Sequence, residues 1–159
     1  MTQPAPWSAA RTIGIGTLIV GTLDILDAII FFGLRNDVPP IRIFHSIAAG
    51  LLGRDAARAG GLPTAYLGAF LHYFIAFSIV TVYYLASRKI SFLTRQPWIA
   101  GAIYGVLVYL FMNLVVLPLS AIHSSPTLTP SVGLLNGVLI HIFGIGIPSA
   151  LVARKGTVR

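Results

Sequence analysis

The chain has 159 residues, of which 9% are charged and 56% apolar, with a mean hydropathy of +0.86 and a formal net charge of +7. A soluble domain is about 25% charged and could not hide this much apolar surface, so a single membrane-embedded domain is expected. The absence of cysteine excludes disulfides, thiolate metal sites, cysteine nucleophiles and c-type haem attachment, and the cations flank apolar segments instead of forming a basic-aromatic surface, which argues against nucleic acid as a partner.

A helix crossing the bilayer needs about 20 mostly apolar residues. In chain order the first such stretch is 12–34, which carries Asp24 and Asp27. It is too long for a signal peptide, contains two carboxylates and is followed by no small-residue cleavage site, so it reads as a retained span. Residues 40–58 are too short and too charged to cross. Ile41, Phe44, Ala48, Leu51 and Leu52 recur there at helical spacing, Pro40 suits a first turn, and Gly60-Gly61 provide a stop before Pro63. The segment reads as an amphipathic helix lying on the outer interface or folded back on the bundle mouth, with an ordered loop as the alternative. Its His45 and the loop residue His123 read as solvated, and Arg54, Asp55 and Arg58 as an interfacial charge cluster.

Three more spans follow at 64–86, 97–119 and 131–153, giving an all-α bundle of four transmembrane helices. With the N-terminus inside, Arg11, Arg88, Lys89, Arg95, Arg154, Lys155 and Arg159 fall on the inner side with no acid among them. The excess of Lys and Arg therefore favours both termini in the cytoplasm, and Trp7, Tyr83, Tyr84 and Trp98 fall where aromatic anchors are expected.

Helices in lipid associate through small residues and polar side chains, because the tails are as apolar as leucine. Four-residue rows supply such ridges. The third span has Gly101, Gly105, Tyr109 and Asn113, and the fourth has Gly133, Gly137 and His141; the second has Gly68, His72 and Ala76. The first span places Thr17, Gly21, Asp24 and Ala28 close to one face. Each span's strongest polar group thus shares its small-residue face and is expected to point inward. Pro118 and Pro148 read as helix terminators or kinks, and Asn136 as a packing or helix-start contact.

At about 1.5 Å rise per residue, Asp24, Asp27, His72, Asn113 and His141 fall in one layer of the outer half. Two carboxylates, two imidazoles and an amide form a candidate buried polar site. Oxygen and nitrogen donors of this kind suit a divalent transition metal, for which Asp24, Asp27, His72 and His141 are the candidate ligands. The same groups could pass protons, since His titrates near neutrality. Haem held between His72 and His141 is a third version. The plain alternative is that all of them hydrogen-bond across helices as structural glue, at about 0.6–2 kcal/mol each. Gly14 and Gly16 form no nucleotide loop, and the chain contains no nucleophile elbow, zincin or Walker pattern, which leans away from an enzyme.

From His72 through Arg154, the run "HYFIAFSIVTVYYLASRKI…PWIAGAIYGVLVYLFMNLVVLPL…LIHIFGIGIPSALVAR" resembles the YagU-like family of small bacterial inner-membrane proteins. That family has a His opening the second span's apolar run, a glycine-rich third span with a Pro near its outer end, and a His within the last span. His72, Pro118 and His141 match by position, while Asn113 stands where the family can place a His. The resemblance implies a helical protein of the bacterial inner membrane and a link to acid tolerance. Together these readings give a small polytopic protein handling protons or ions through the Asp and His cluster. The alternatives are a structural or assembly subunit and a metal- or haem-binding membrane protein. Lipid is the evident partner, and with only four spans a homo-oligomer or a second membrane protein is a plausible addition.

Overall fold

The computed structural model describes residues 5–125 and 129–157. Among these, every regular element is helical. Four helices are long and apolar enough to cross a membrane, at Ala9–Asn36, Gly61–Ser87, Pro97–Leu119 and Val132–Thr157, as in a multi-pass membrane protein.

Helix α1 (Ala9–Asn36) starts at Ser8, whose hydroxyl accepts from the Arg11 amide, and ends at Asp37, whose left-handed backbone (φ 52°) returns its amide to Gly33 O. Both ends extend beyond the expected 12–34, because the caps lie outside the apolar stretch. The amphipathic segment is not one helix over 40–58 but two, α2 (Pro40–Leu52) and α3 (Arg54–Ala59), broken at Gly53 with φ 81°. Its buried face also differs from the apolar row read in sequence. Ile43, His45, Ala48 and Ala49 are covered, while Leu51 and Leu52 are exposed.

Gly60 and Gly61 make the corner into α4 (Gly61–Ser87), which begins before Pro63 because proline is tolerated in a first turn. After the short α5 (Phe92–Arg95), α6 (Pro97–Phe111) opens on a proline and passes into a π-helical segment, Met112–Val116, then α7 (Leu117–Leu119). The last span is α8 (Val132–Ile140), a second π segment, His141–Gly146, and α9 (Ile147–Thr157). Ser131 caps α8 by accepting from the Leu134 amide at 3.0 Å.

The two π segments share a cause. Each ends two residues before a proline, Pro118 or Pro148, and each closes with an i→i−5 bond, Leu117 N–H to Met112 O and Ile147 N–H to Ile142 O. Proline has no amide and its ring crowds the preceding turn, so the helix widens there instead of stopping. Pro118 stands at the end of its helix as expected, but Pro148 does not terminate the last span, which continues to Thr157.

The last span is the hub. It packs against α1, α4 and α6, α1 also packs along α4, and α2 lies along α4 at the end reached by the loop after α7. That end is joined by Ala121 N–H to Gly50 O at 2.8 Å. The core between α1, α4, α6 and the last span is built from Val20, Ala76, Val80, Val108 and Ile145. Tyr83 and Tyr84 are buried there too, at 1% and 4% exposure, with the Tyr83 hydroxyl donating to Leu93 O. They are core residues and not the interfacial anchors their position implied; Trp98, at 63%, is exposed.

Candidate functional site

His72 is the best-defined polar group inside the bundle. It sits on the inner face of α4 between Gly68 and Ala76, both buried. Its Nε2 lies 2.7 Å from Gly21 O on α1. A carbonyl can only accept, so Nε2 carries the proton and donates, and Nδ1 is left facing the other way. What it faces is the Asp24 carboxylate, with Nδ1 and Oδ2 4.0 Å apart. The His72 side chain is 10% exposed and that of Asp24 30%. Gly21 permits this approach, since a Cβ there would sit 2.7 Å from the Tyr73 ring. Tyr73 in turn places its hydroxyl 3.0 Å from Thr22 Oγ1, a second polar tie between the same helices.

His141 opens the second π segment. Its Nδ1 lies 2.8 Å from Gly137 O, one turn back on its own helix, so Nδ1 donates and Nε2 is the nitrogen left with a lone pair. The ring stands edge-on to Tyr109, with centroids 5.3 Å apart. Asp24 lies within electrostatic reach of His141, His72 and Asp27, attracted to the first two when they are charged and repelled by the third. Asp27, one turn further along α1, accepts a hydrogen bond from Asn136 Nδ2 at 2.8 Å. Arg54, Asp55 and Arg58 are all exposed.

A cavity of about 30 Å³ lies against Asp24 and His72, with Gly21, Ile75, Ile79 and Ile145 among its walls. That is room for about one water molecule. It is well below the roughly 300 Å³ at which small-molecule pockets begin, and His141 is not among its walls, so this cavity does not hold a haem. A metal fares no better. Among the described residues no three side chains of His, Asp or Glu are gathered closely enough to form a coordination shell.

Asn113, expected in the site, donates instead to Tyr109 O on its own helix at 2.9 Å. It plays there the part His141 plays in the last span, giving an extra donor to a carbonyl where a π segment begins. Asn136, read from sequence as packing, is the amide that reaches a carboxylate. The signal available was its place in an apolar span, the same that singled out Asn113; what was missing was the helix's rotational phase.

His45 is not solvated. It is 6% exposed, and its Nε2 donates to Gly61 O at 2.8 Å, pinning α2 to the start of α4. His123 is exposed, as read.

Four of the five packing glycines meet the chain itself. A Cβ at Gly101 would lie 2.7 Å from Ile147 Cα, one at Gly105 would strike the His141 backbone, one at Gly137 would lie 2.7 Å from the Tyr109 ring, and one at Gly68 would strike Phe44 O of α2. Gly133 is exposed and meets nothing closer than Ser131 Oγ at 3.8 Å, so it packs no helix here. At the end of the π segment the close approach passes to Gly146, whose added Cβ would lie 2.6 Å from Gly105 N. No protein-family model, curated protein or solved structure matches the chain.

Proposed function

We propose that this protein handles protons within the membrane through a site formed by Asp24 and His72, with His141, Asp27 and Asn136 around it. The observation that carries the reading is the pairing of His72 Nδ1 with the Asp24 carboxylate while Nε2 is committed to Gly21 O. With Nε2 as donor, an unprotonated Nδ1 presents a lone pair to the carboxylate, and an ionised Asp24 would repel it. The pair is satisfied when it holds one more proton, as Asp24–OH facing Nδ1 or as imidazolium facing carboxylate. These two forms differ only in where that proton sits, which is what a relay step requires.

At 4.0 Å the pair is too far apart for direct transfer, and the adjoining cavity has the volume of a single water that could bridge it. His141, with Nε2 unprotonated in its neutral form and Asp24 within electrostatic reach, is the next acceptor along the last span. The proposal includes the setting: a bacterial inner membrane, both termini in the cytoplasm, and kinship with the YagU-like proteins through His72, Pro118 and His141. The distribution of Lys and Arg supports the orientation.

An assembly role through the glycine ridges has less to support it, since Gly101, Gly105 and Gly137 are covered by the chain's own helices. A partner would have to dock on the outward apolar faces.

The test is proton flux into liposomes holding the purified protein, read with an enclosed pH-sensitive dye under an imposed pH gradient. The wild type dissipates the gradient, Asp24→Asn slows dissipation at least tenfold, and Asp37→Asn, at the exposed end of α1, leaves it unchanged. Equal rates for Asp24→Asn and wild type would refute the reading.

A further inference from the structure

The other end of the bundle carries a second site. A cavity of about 540 Å³ opens where the ends of α4 and α9 meet the start of α1 and the turn into α5, with Ser87, Arg88, Lys89, Ser91, Thr94 and Thr157 on its walls. This is the volume of a small-ligand pocket, and it sets two cations beside the Ser91 hydroxyl, while the hydroxyls of Ser87, Thr94 and Thr157 donate to backbone carbonyls. All four acids of the chain, Asp24, Asp27, Asp37 and Asp55, lie in the second half of α1 or beyond it in the α1–α4 connection. None lies on the segments that form this end, whereas Arg11, Arg88, Lys89, Arg95, Arg154 and Lys155 all do. Arg88 and Lys89 are exposed, and among the described residues neither is paired with a carboxylate.

We infer that this cavity binds a phosphate-bearing anion, and specifically the headgroup of an anionic phospholipid. Uncompensated cations focus negative charge into a cleft, a guanidinium and an ammonium donate to phosphate oxygens, and a basic pocket between helices at the membrane boundary is suited to acidic headgroups. The choice of lipid over free phosphate rests on the neighbouring residues. Leu85, Ile90 and Phe92, 53%, 51% and 46% exposed, alternate in sequence with Tyr84, Arg88, Lys89 and Ser91 of the wall, so acyl chains would have an apolar surface beside the polar cleft. The cleft is also held in shape: the Trp7 amide donates to Lys155 O at 2.9 Å, tying the start of the chain to α9.

Native mass spectrometry of the full chain in a neutral detergent, with phosphatidylglycerol or phosphatidylcholine added and with inorganic phosphate in a separate arm, tests the site. Phosphatidylglycerol should be retained in preference to phosphatidylcholine, and the double variant Arg88→Gln/Lys89→Gln should lose about tenfold in affinity. The control Arg95→Gln/Arg154→Gln removes the same charge from two exposed positions outside the cavity and should change affinity less than threefold. Inorganic phosphate binding that the Arg88→Gln/Lys89→Gln variant loses, without lipid preference, would keep the anion site but overturn the lipid assignment. Equal loss in both double variants, or no preference for either anion, would overturn the site itself.

Discussion

At the scale of single residues, the polar groups inside this bundle are held by backbone carbonyls as much as by one another. His72 and His141 each donate to a carbonyl, and the nitrogen left over is what gives each imidazole its chemistry. The carboxyl nearest His72 was legible from spacing, since Asp24 shares a face with Gly21. The partner of Asp27 was not, because an amide on a distant helix is found only once that helix's rotation is known. Asn136→Ala removes the donor to Asp27 and should destabilise the fold by about 0.6–2 kcal/mol, the range for polar contacts between membrane helices, as measured by unfolding in mixed micelles. His45→Ala should cost a similar amount and loosen α2 from α4, seen as faster amide exchange in α2. No change in either measurement would mean that the contact to Gly61 O contributes little.

The helices themselves were the most legible feature, because four long apolar runs in so lightly charged a chain admit few other readings. Their interruptions were less so. Gly53 divides the connecting segment where a continuous apolar pattern was read, and Pro148 widens a helix it was expected to end or bend. A constant 3.6-residue period cannot anticipate a π turn, which shifts the face of everything beyond it. That shift is why Gly146, five residues after His141, enters the packing row, whereas Gly133 drops out because it sits in the exposed first turn of α8. Gly101→Leu forces a side chain into the Ile147 backbone and should cost about 1–3 kcal/mol, whereas Gly133→Leu should stay within about 0.5 kcal/mol of wild type. If unfolding in mixed micelles ranked them the other way, the assigned contact between α6 and the last span would be wrong.

Over the whole molecule, the last span acts as the hub, with the polar cluster on the α1–α4 side and a basic cleft at one end. Sequence revealed the charge asymmetry but not the cleft, which exists only because the start of α1 and the end of α9 meet the α4–α5 turn. Because the chain contains no cysteine, orientation can be read with single additions. With both termini inside, Ser124→Cys should react with an impermeant maleimide on intact cells and Ser8→Cys should not; the opposite pattern would invert the bundle. The account depends most on the meeting of His72 and Asp24 in the interior, and solid-state nitrogen NMR of the ring in bilayers reports on it directly. The prediction is a spectrum with His72 Nε2 protonated, in which Asp24→Asn moves the His72 Nδ1 resonance and leaves His45 unchanged. A His72 ring indifferent to that substitution, or protonated on Nδ1 alone, would contradict it.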